Sequence, residues 1–209
     1  MNHDKWQAAR AECDFTASDV PEACGIGYQS RAAWARGEKA APNEFLQRKL
    51  DDGKNAEGPA AGTYAEHLLS SDEYMTREVF MARKVDNFLI GATMDGVVGS
   101  SADVSPAPLR VVELKYTTAR EPKASHVLQC ATQVWVARVP LGHLFYYQSD
   151  GSYICWEVRC SEADYARVVL PWLDEAYLIK KKGLAARMKP GEREFREKAV
   201  LGTFLSKRA

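Results

Sequence analysis

Asp95, Glu113 and Lys115 are the residues whose types and spacing in this 209-residue chain could do chemistry together. In an extended strand, residues two apart share a face. Within Val111-Val112-Glu113-Leu114-Lys115-Tyr116, Glu113 and Lys115 therefore point one way and Val112 and Leu114 the other. Burying a carboxylate and an ammonium costs on the order of several kcal/mol each unless they are paired or bound to something. Taken alone, a Glu-x-Lys pair on a solvent-facing strand has the same spacing. Asp95 ends the apolar stretch before Gly96, and a hairpin-length excursion then returns the chain, so Asp95 can lie beside Glu113. A plain turn residue is the alternative for Asp95. Two converging carboxylates are hard oxygen ligands suited to Mg²⁺ or Mn²⁺. A neighbouring lysine can orient or deprotonate a water and offset developing negative charge. Gln129 follows on a mostly apolar helix, where it is either half-exposed or hydrogen-bonded to such a site.

The elements that must position these residues change period along the chain. The first third reads as helices: Lys5 to Glu12, one capped by Thr16-Ala17-Ser18-Asp19, Ser30 to Arg36, Asn43 to Leu50, and Asn55 to Leu69 after a break at Asp51-Asp52-Gly53. Thr76 to Arg83, Phe88 to Val98 and Leu109 to Tyr116 carry the β-branched and apolar runs of strands, separated by turn residues. Ser125 to Arg138 has the wide apolar face of a buried helix. Gly142 to Gln148 and Tyr153 to Cys160 form a hairpin through Ser149-Asp150-Gly151, and Ala163 to Lys181 closes as an amphipathic helix that Pro171 can kink. The expected fold is α/β: a central mixed five-stranded sheet flanked by helices, with a helical N-terminal part.

With 46% apolar residues the chain suits one domain with one substantial core. Five cysteines in no paired spacing argue against a zinc ribbon and for reduced thiols. No apolar run approaches the ~20 residues of a membrane span, and the start is too polar for a secretory signal. An intracellular protein, cytoplasmic or nuclear in a host, is expected. The formal net charge is zero, yet from Leu178 onward ten Lys or Arg face three Glu, a net of +7 that leaves −7 for the rest. An acidic metal site with a separate basic surface for a polyanion has this asymmetry, and so does a tail (about 180–209) that is merely a solvated helical face. Trp34, Trp135, Trp156 and Trp172 have the spacing of core residues.

The order of Asp95, Glu113-Leu114-Lys115 and a helix bearing Gln129 resembles the core of the PD-(D/E)xK nuclease superfamily. More narrowly it is similar to the lambda exonuclease and YqaJ-like viral recombinase group. That group's Thr-Ala-Ser segment is matched by Thr16-Ala17-Ser18, and its Gly-Lys-x-x-Glu-x-x-Ala segment by Gly53 to Ala60 with Glu57. Its Ser-Pro-Asp-Gly segment stands here as Thr93-Met94-Asp95-Gly96, and its Leu-Glu-Leu-Lys strand as Val112-Glu113-Leu114-Lys115. Its glutamine six residues before Trp-Val is Gln129 before Trp135-Val136, and the match runs from about Arg10 to Tyr147. Met94 and Thr93 replace Pro and Ser; the proline shapes a turn without binding metal, and threonine keeps a hydroxyl.

The resemblance implies that Asp95, Glu113, the Leu114 carbonyl and Glu57 hold Mg²⁺, for which Mn²⁺ can substitute. It implies that Lys115 serves the water, that Gln129 supports it, and that Ser18, Thr93 and Arg10 receive a terminal 5′ phosphate. The bland alternatives are a helix cap for Ser18, an exposed helical arginine for Arg10 and a dipole-favoured carboxylate for Glu57. The implied activity is 5′-to-3′ digestion of duplex DNA ends to 5′ mononucleotides, leaving 3′ overhangs for recombination or viral DNA processing. A strand-annealing protein would be the partner, and homotrimeric rings occur in the group. An endonuclease of the same superfamily and a catalytically inactive DNA-binding module are the competing expectations.

Overall fold

The pairing order of seven strands decides where the candidate residues meet. They are β1 (Phe15–Thr16), β2 (Glu73–Val85), β3 (Phe88–Ser100), β4 (Arg110–Tyr116), β5 (Gly142–Tyr147), β6 (Tyr153–Val158) and β7 (Leu205–Arg208). The helices are α1 (His3–Ala11), α2 (Val20–Ala23), α3 (Arg31–Ala35), α4 (Glu44–Leu68), α5 (Ala124–Ala137), α6 (Glu162–Val168), α7 (Leu170–Lys182) and α8 (Glu192–Phe204). The structure, a computed structural model, describes residues 3–38, 42–101, 107–184 and 187–208. Met1 and Asn2 of the polar start and residues 185, 186 and 209 of the basic segment lie outside the described residues.

One mixed sheet runs β1-β3-β4-β5-β6-β7, with β2 paired along the other edge of β3. β2 and β3 form a long antiparallel hairpin from Glu73 opposite Ser100 to Val85 opposite Phe88. β4 and β5 are parallel, as the α5 crossover between them requires, and β5, β6 and β7 are antiparallel. The five expected strands are all present; β1 and β7 are additions, each too short to give a periodic signal.

Alternation along the strands sorts the two faces. Val111, Leu144 and Tyr146 join the main core with α2, α5, α6, α7 and α8, whereas Val112, Leu114 and Phe145 pack under Ala60, Ala61 and Tyr64 of α4. α5 lies close on β5 because position 142 is glycine. A Cβ there would sit 2.6 Å from Val134 Cγ2 and 2.7 Å from Cys130 Sγ. Trp135 and Trp156 are buried, and Trp34 and Trp172 pack at the core margin. All five cysteines are free thiols. Among the described residues no helix is long and apolar enough to cross a membrane.

Three expectations need correction. The break at Asp51-Asp52-Gly53 does not occur: α4 is one helix of 25 residues that runs through Pro59. The Asn43 side chain caps its first turn, and burial of Ala60, Ala61 and Tyr64 anchors its last third, outweighing about 1 kcal/mol per internal glycine. The closing helix is two helices meeting at Val169, with Pro171 in the first turn of α7, where its missing N–H costs nothing. The basic segment is built into the fold as α8 and β7. Arg196, 3% exposed, donates to the Cys24 carbonyl and to Glu175, which also pairs with buried Arg31.

A second buried polar cluster ties α4 to the sheet. Arg110 donates to both Glu73 oxygens (2.6 and 2.8 Å), the Leu68 carbonyl and the Tyr64 hydroxyl, which also bonds His143 Nδ1. The hydrogen bonds from Arg110 hold the Glu73 carboxyl well below the usual range, at about 2. Arg110→Ala strands that carboxylate and is expected to cost about 3–5 kcal/mol in urea unfolding. Arg159→Ala, at an exposed pair with Glu157, should cost under about 1 kcal/mol. A depressed carboxylate stabilises above its ordinary pKa, so wild type should lose this contribution as pH falls from about 4.5 towards 2, and Arg110→Ala should lack that loss.

Candidate active site

β3 carries two different partners on one edge. β1 pairs with it at Ile90 and Gly91, and β4 pairs with it at Gly96, Val97 and Val98, opposite Val112, Val111 and Arg110. Between those stretches, Ala92 to Asp95 have no strand neighbour on that side, so β3 and β4 fork at Gly96 and Val112. Side chains bridge the fork. The Leu114 N–H, which a continued ladder would pair with a β3 carbonyl, donates to Asp95 Oδ2 at 2.7 Å. The Thr93 carbonyl accepts from Gln133 Nε2 at 3.1 Å. Asp95 is therefore a mid-strand residue and not a turn residue, and it faces the diverging half of β4.

Glu113, 2% exposed, has both oxygens engaged. Oε1 accepts from Gln129 Nε2 at 2.6 Å and from Lys115 Nζ at 2.5 Å, and Oε2 accepts from Gln133 Nε2. The solvent-facing alternative for the Glu-x-Lys pair is thereby excluded, since the pair faces α5. Gln129 is hydrogen-bonded to the site. Gln133 escaped the sequence reading. Its signal was available: a second glutamine four residues after the first, on the same face of an otherwise apolar helix.

Two carboxylates in one buried fork repel each other. Burial pushes the Asp95 pKa up to about 8, with the Glu113 charge adding to it. Burial alone would lower the Lys115 pKa, but Glu113 and Asp95 outweigh it and the pKa is raised, so the ammonium form is held. The demand for a positive partner at Asp95, the hard oxygen donors and the open cleft in front of them fit a divalent cation of the Mg²⁺ class. Asp95, Glu113 and the Leu114 carbonyl are the groups that would hold it.

All nine residues singled out in the sequence line one cleft of about 270 Å³. Glu57, exposed on α4, reaches Asp95 only through its charge. Among the described residues no three acidic, histidine or cysteine side chains form a cluster that could hold a metal ion, and Glu57 joins the other carboxylates only as part of the cleft lining. Ser18 is not a helix cap: Asp19 occupies that position in α2, without a side-chain cap bond. The Ser18 hydroxyl instead meets Arg10 at 3.3 Å and Thr16 Oγ1 at 2.9 Å, and Thr16 donates to Asp19 at 2.5 Å. Trp6, one turn before Arg10 on α1 and also missed, donates to Thr93 Oγ1 at 3.2 Å. A hydroxyl and guanidinium cluster thus lies at one end of the cleft and the carboxylate fork further in.

No protein-family model and no curated protein matches the sequence. Solved structures do match. The alkaline exonuclease LHK-Exo from Laribacter hongkongensis superposes with a TM-score of 0.58 at 20% identity, over 86% of this chain and 98% of that chain. LHK-Exo in complex with dAMP gives 0.60 at 22% identity over the same shares. SSO0001 gives 0.50 at 13% identity, over 90% of this chain and 84% of that one. The α/β architecture described above is therefore the fold of an alkaline exonuclease.

Proposed function

We propose that the chain is a metal-dependent deoxyribonuclease that digests duplex DNA from an end. The observation that carries this reading is the forked pair of strands, which places Asp95, Glu113 and Lys115 around one cleft. The fold shared with an exonuclease, crystallised in one case with dAMP, supports it.

Asp95, Glu113 and the Leu114 carbonyl would hold a hard divalent cation, which would supply Lewis-acid polarisation of a phosphate and a more acidic water. The chain's own side chains do the rest. Lys115, kept cationic by Glu113, hydrogen-bonds the attacking water and balances the charge that develops on the phosphate. Gln129 and Gln133 fix the Glu113 carboxylate from α5, so its lone pairs are aimed before substrate arrives. Arg10, Ser18 and Thr93 offer a guanidinium and two hydroxyls to a terminal 5′ phosphate, which sets the polarity as 5′ to 3′ and the products as 5′ mononucleotides. The 3′ overhang left behind suits a strand-annealing partner, and a ring of three subunits would encircle the duplex; light scattering reads the subunit number.

Lys115→Ala and Glu113→Gln should each lower Mg²⁺-dependent nucleotide release from linear duplex by about 10²-fold or more, and a chelator should abolish it. Unchanged release in either variant contradicts the mechanism, and no release by wild type with any divalent ion favours a binding module. A closed circle should resist, whereas cleavage of the circle favours the endonuclease reading. Arg10→Ala should reduce the preference for 5′-phosphorylated over 5′-hydroxyl ends. Asp95→Asn removes the repelled charge, so in metal-free buffer at pH 8 it should raise Tm by a few degrees, while losing the Tm gain that Mn²⁺ gives wild type.

A further inference from the structure

Beside Lys115 lies a chain of hydrogen bonds that this mechanism does not use. The Tyr28 hydroxyl meets His126 Nε2 at 2.9 Å, and His126 Nδ1 meets the Tyr146 hydroxyl at 2.7 Å. The Tyr146 hydroxyl accepts from the Lys123 N–H at 3.1 Å, and the Tyr28 hydroxyl accepts from Lys123 Nζ at 3.3 Å. Tyr146 is wholly buried and His126 is 8% exposed, whereas the Tyr28 ring is 73% exposed.

Donor and acceptor accounting fixes the direction of every proton in this chain. Tyr146, already accepting from Lys123, must donate its own proton, because a buried O–H without an acceptor costs about 1–3 kcal/mol. Among the described residues its acceptor is His126 Nδ1. His126 is neutral, since burial and the Lys115 and Lys123 charges push its pKa down to about 3. A neutral imidazole that accepts at Nδ1 carries its hydrogen at Nε2. Nε2 therefore donates to Tyr28, whose oxygen receives two donors, His126 and Lys123. The Tyr28 proton is left over, and no described residue accepts it.

That spare O–H stands beside the Lys123 ammonium, which is 3.3 Å from its oxygen and 5.4 Å from its ring centre, and the Lys115 charge acts on its partner His126. Cationic groups around one unclaimed donor select an acceptor that is anionic and has several oxygens. We propose that Tyr28 donates a hydrogen bond to a non-bridging phosphate oxygen of the DNA backbone beside the scissile bond, and that His126 is the residue that positions it. The proposal rests on the nuclease reading of the neighbouring fork.

The test measures single-turnover digestion of 5′-phosphorylated duplex by wild type, Tyr28→Phe, His126→Phe and the double variant. The substrate carries either normal phosphates or one neutral methylphosphonate, stepped through the positions flanking the scissile bond. Tyr28→Phe removes an oxygen from an exposed ring but also the acceptor of the His126 N–H, so a Tm loss of a few degrees is expected and rates are compared well below both Tm values. It should slow cleavage about 10-fold or more, His126→Phe should do the same, and the double variant should be no slower than either single one. At one flanking position the methylphosphonate should slow wild type but not Tyr28→Phe. Additive losses, or a Tyr28→Phe enzyme as fast as wild type and as sensitive to the methylphosphonate at every position, would overturn the inference while leaving the nuclease reading intact. Wild type that releases no nucleotide from normal duplex overturns both.

Discussion

The structure depends on two strands that stop pairing. β3 and β4 share a ladder for three residue pairs and then separate, leaving backbone groups that a sheet would otherwise satisfy. An unpaired edge inside a protein is costly unless something else fills its hydrogen bonds. Here one carboxylate oxygen of Asp95 takes the Leu114 N–H, and the amide of Gln133 takes the Thr93 carbonyl. The gap between the strands is therefore lined with polar groups whose positions are set by the sheet itself. A site on strands is more precise than one on loops, and the parallel β5 neighbour and the α5 layer keep this one rigid.

The same geometry explains the electrostatics. Glu113 sits in a nearly dry setting where two glutamines and a lysine converge on its carboxyl group. Asp95, whose carboxyl accepts the Leu114 N–H, has its proton affinity raised first by burial and then by the Glu113 charge. The fork thus favours a positive partner, which the proposed divalent cation would supply. The Tyr28, His126 and Tyr146 chain extends this preorganisation outward, from the carboxylates to the phosphates they must meet.

The strands and α5 were legible because their periods are strong and their ends are marked by turn residues; Glu113 and Lys115 were legible because β-strand alternation puts them on one face. What was not legible depended on distant partners. The continuity of α4 through Pro59 rests on burial of Tyr64 against β4 and β5, which no local pattern encodes. The docking of α8 rests on Arg196 reaching Cys24 and Glu175, so a buried arginine looked like surface charge. Gln133 was marked only by its spacing from Gln129, since a glutamine on an apolar helix reads as a surface residue until its acceptor is known. Tyr28 had no sequence signal, since its role follows from a proton count over residues 98 apart.

Diffraction from a Mn²⁺-soaked crystal, recorded at a wavelength where manganese scatters anomalously, tests the central claim most directly. A peak within coordination distance of Asp95, Glu113 and the Leu114 carbonyl is the expected result. Manganese found only elsewhere, or Asp95 and Glu113 carboxylates turned away from one another with no ion between them, would contradict it.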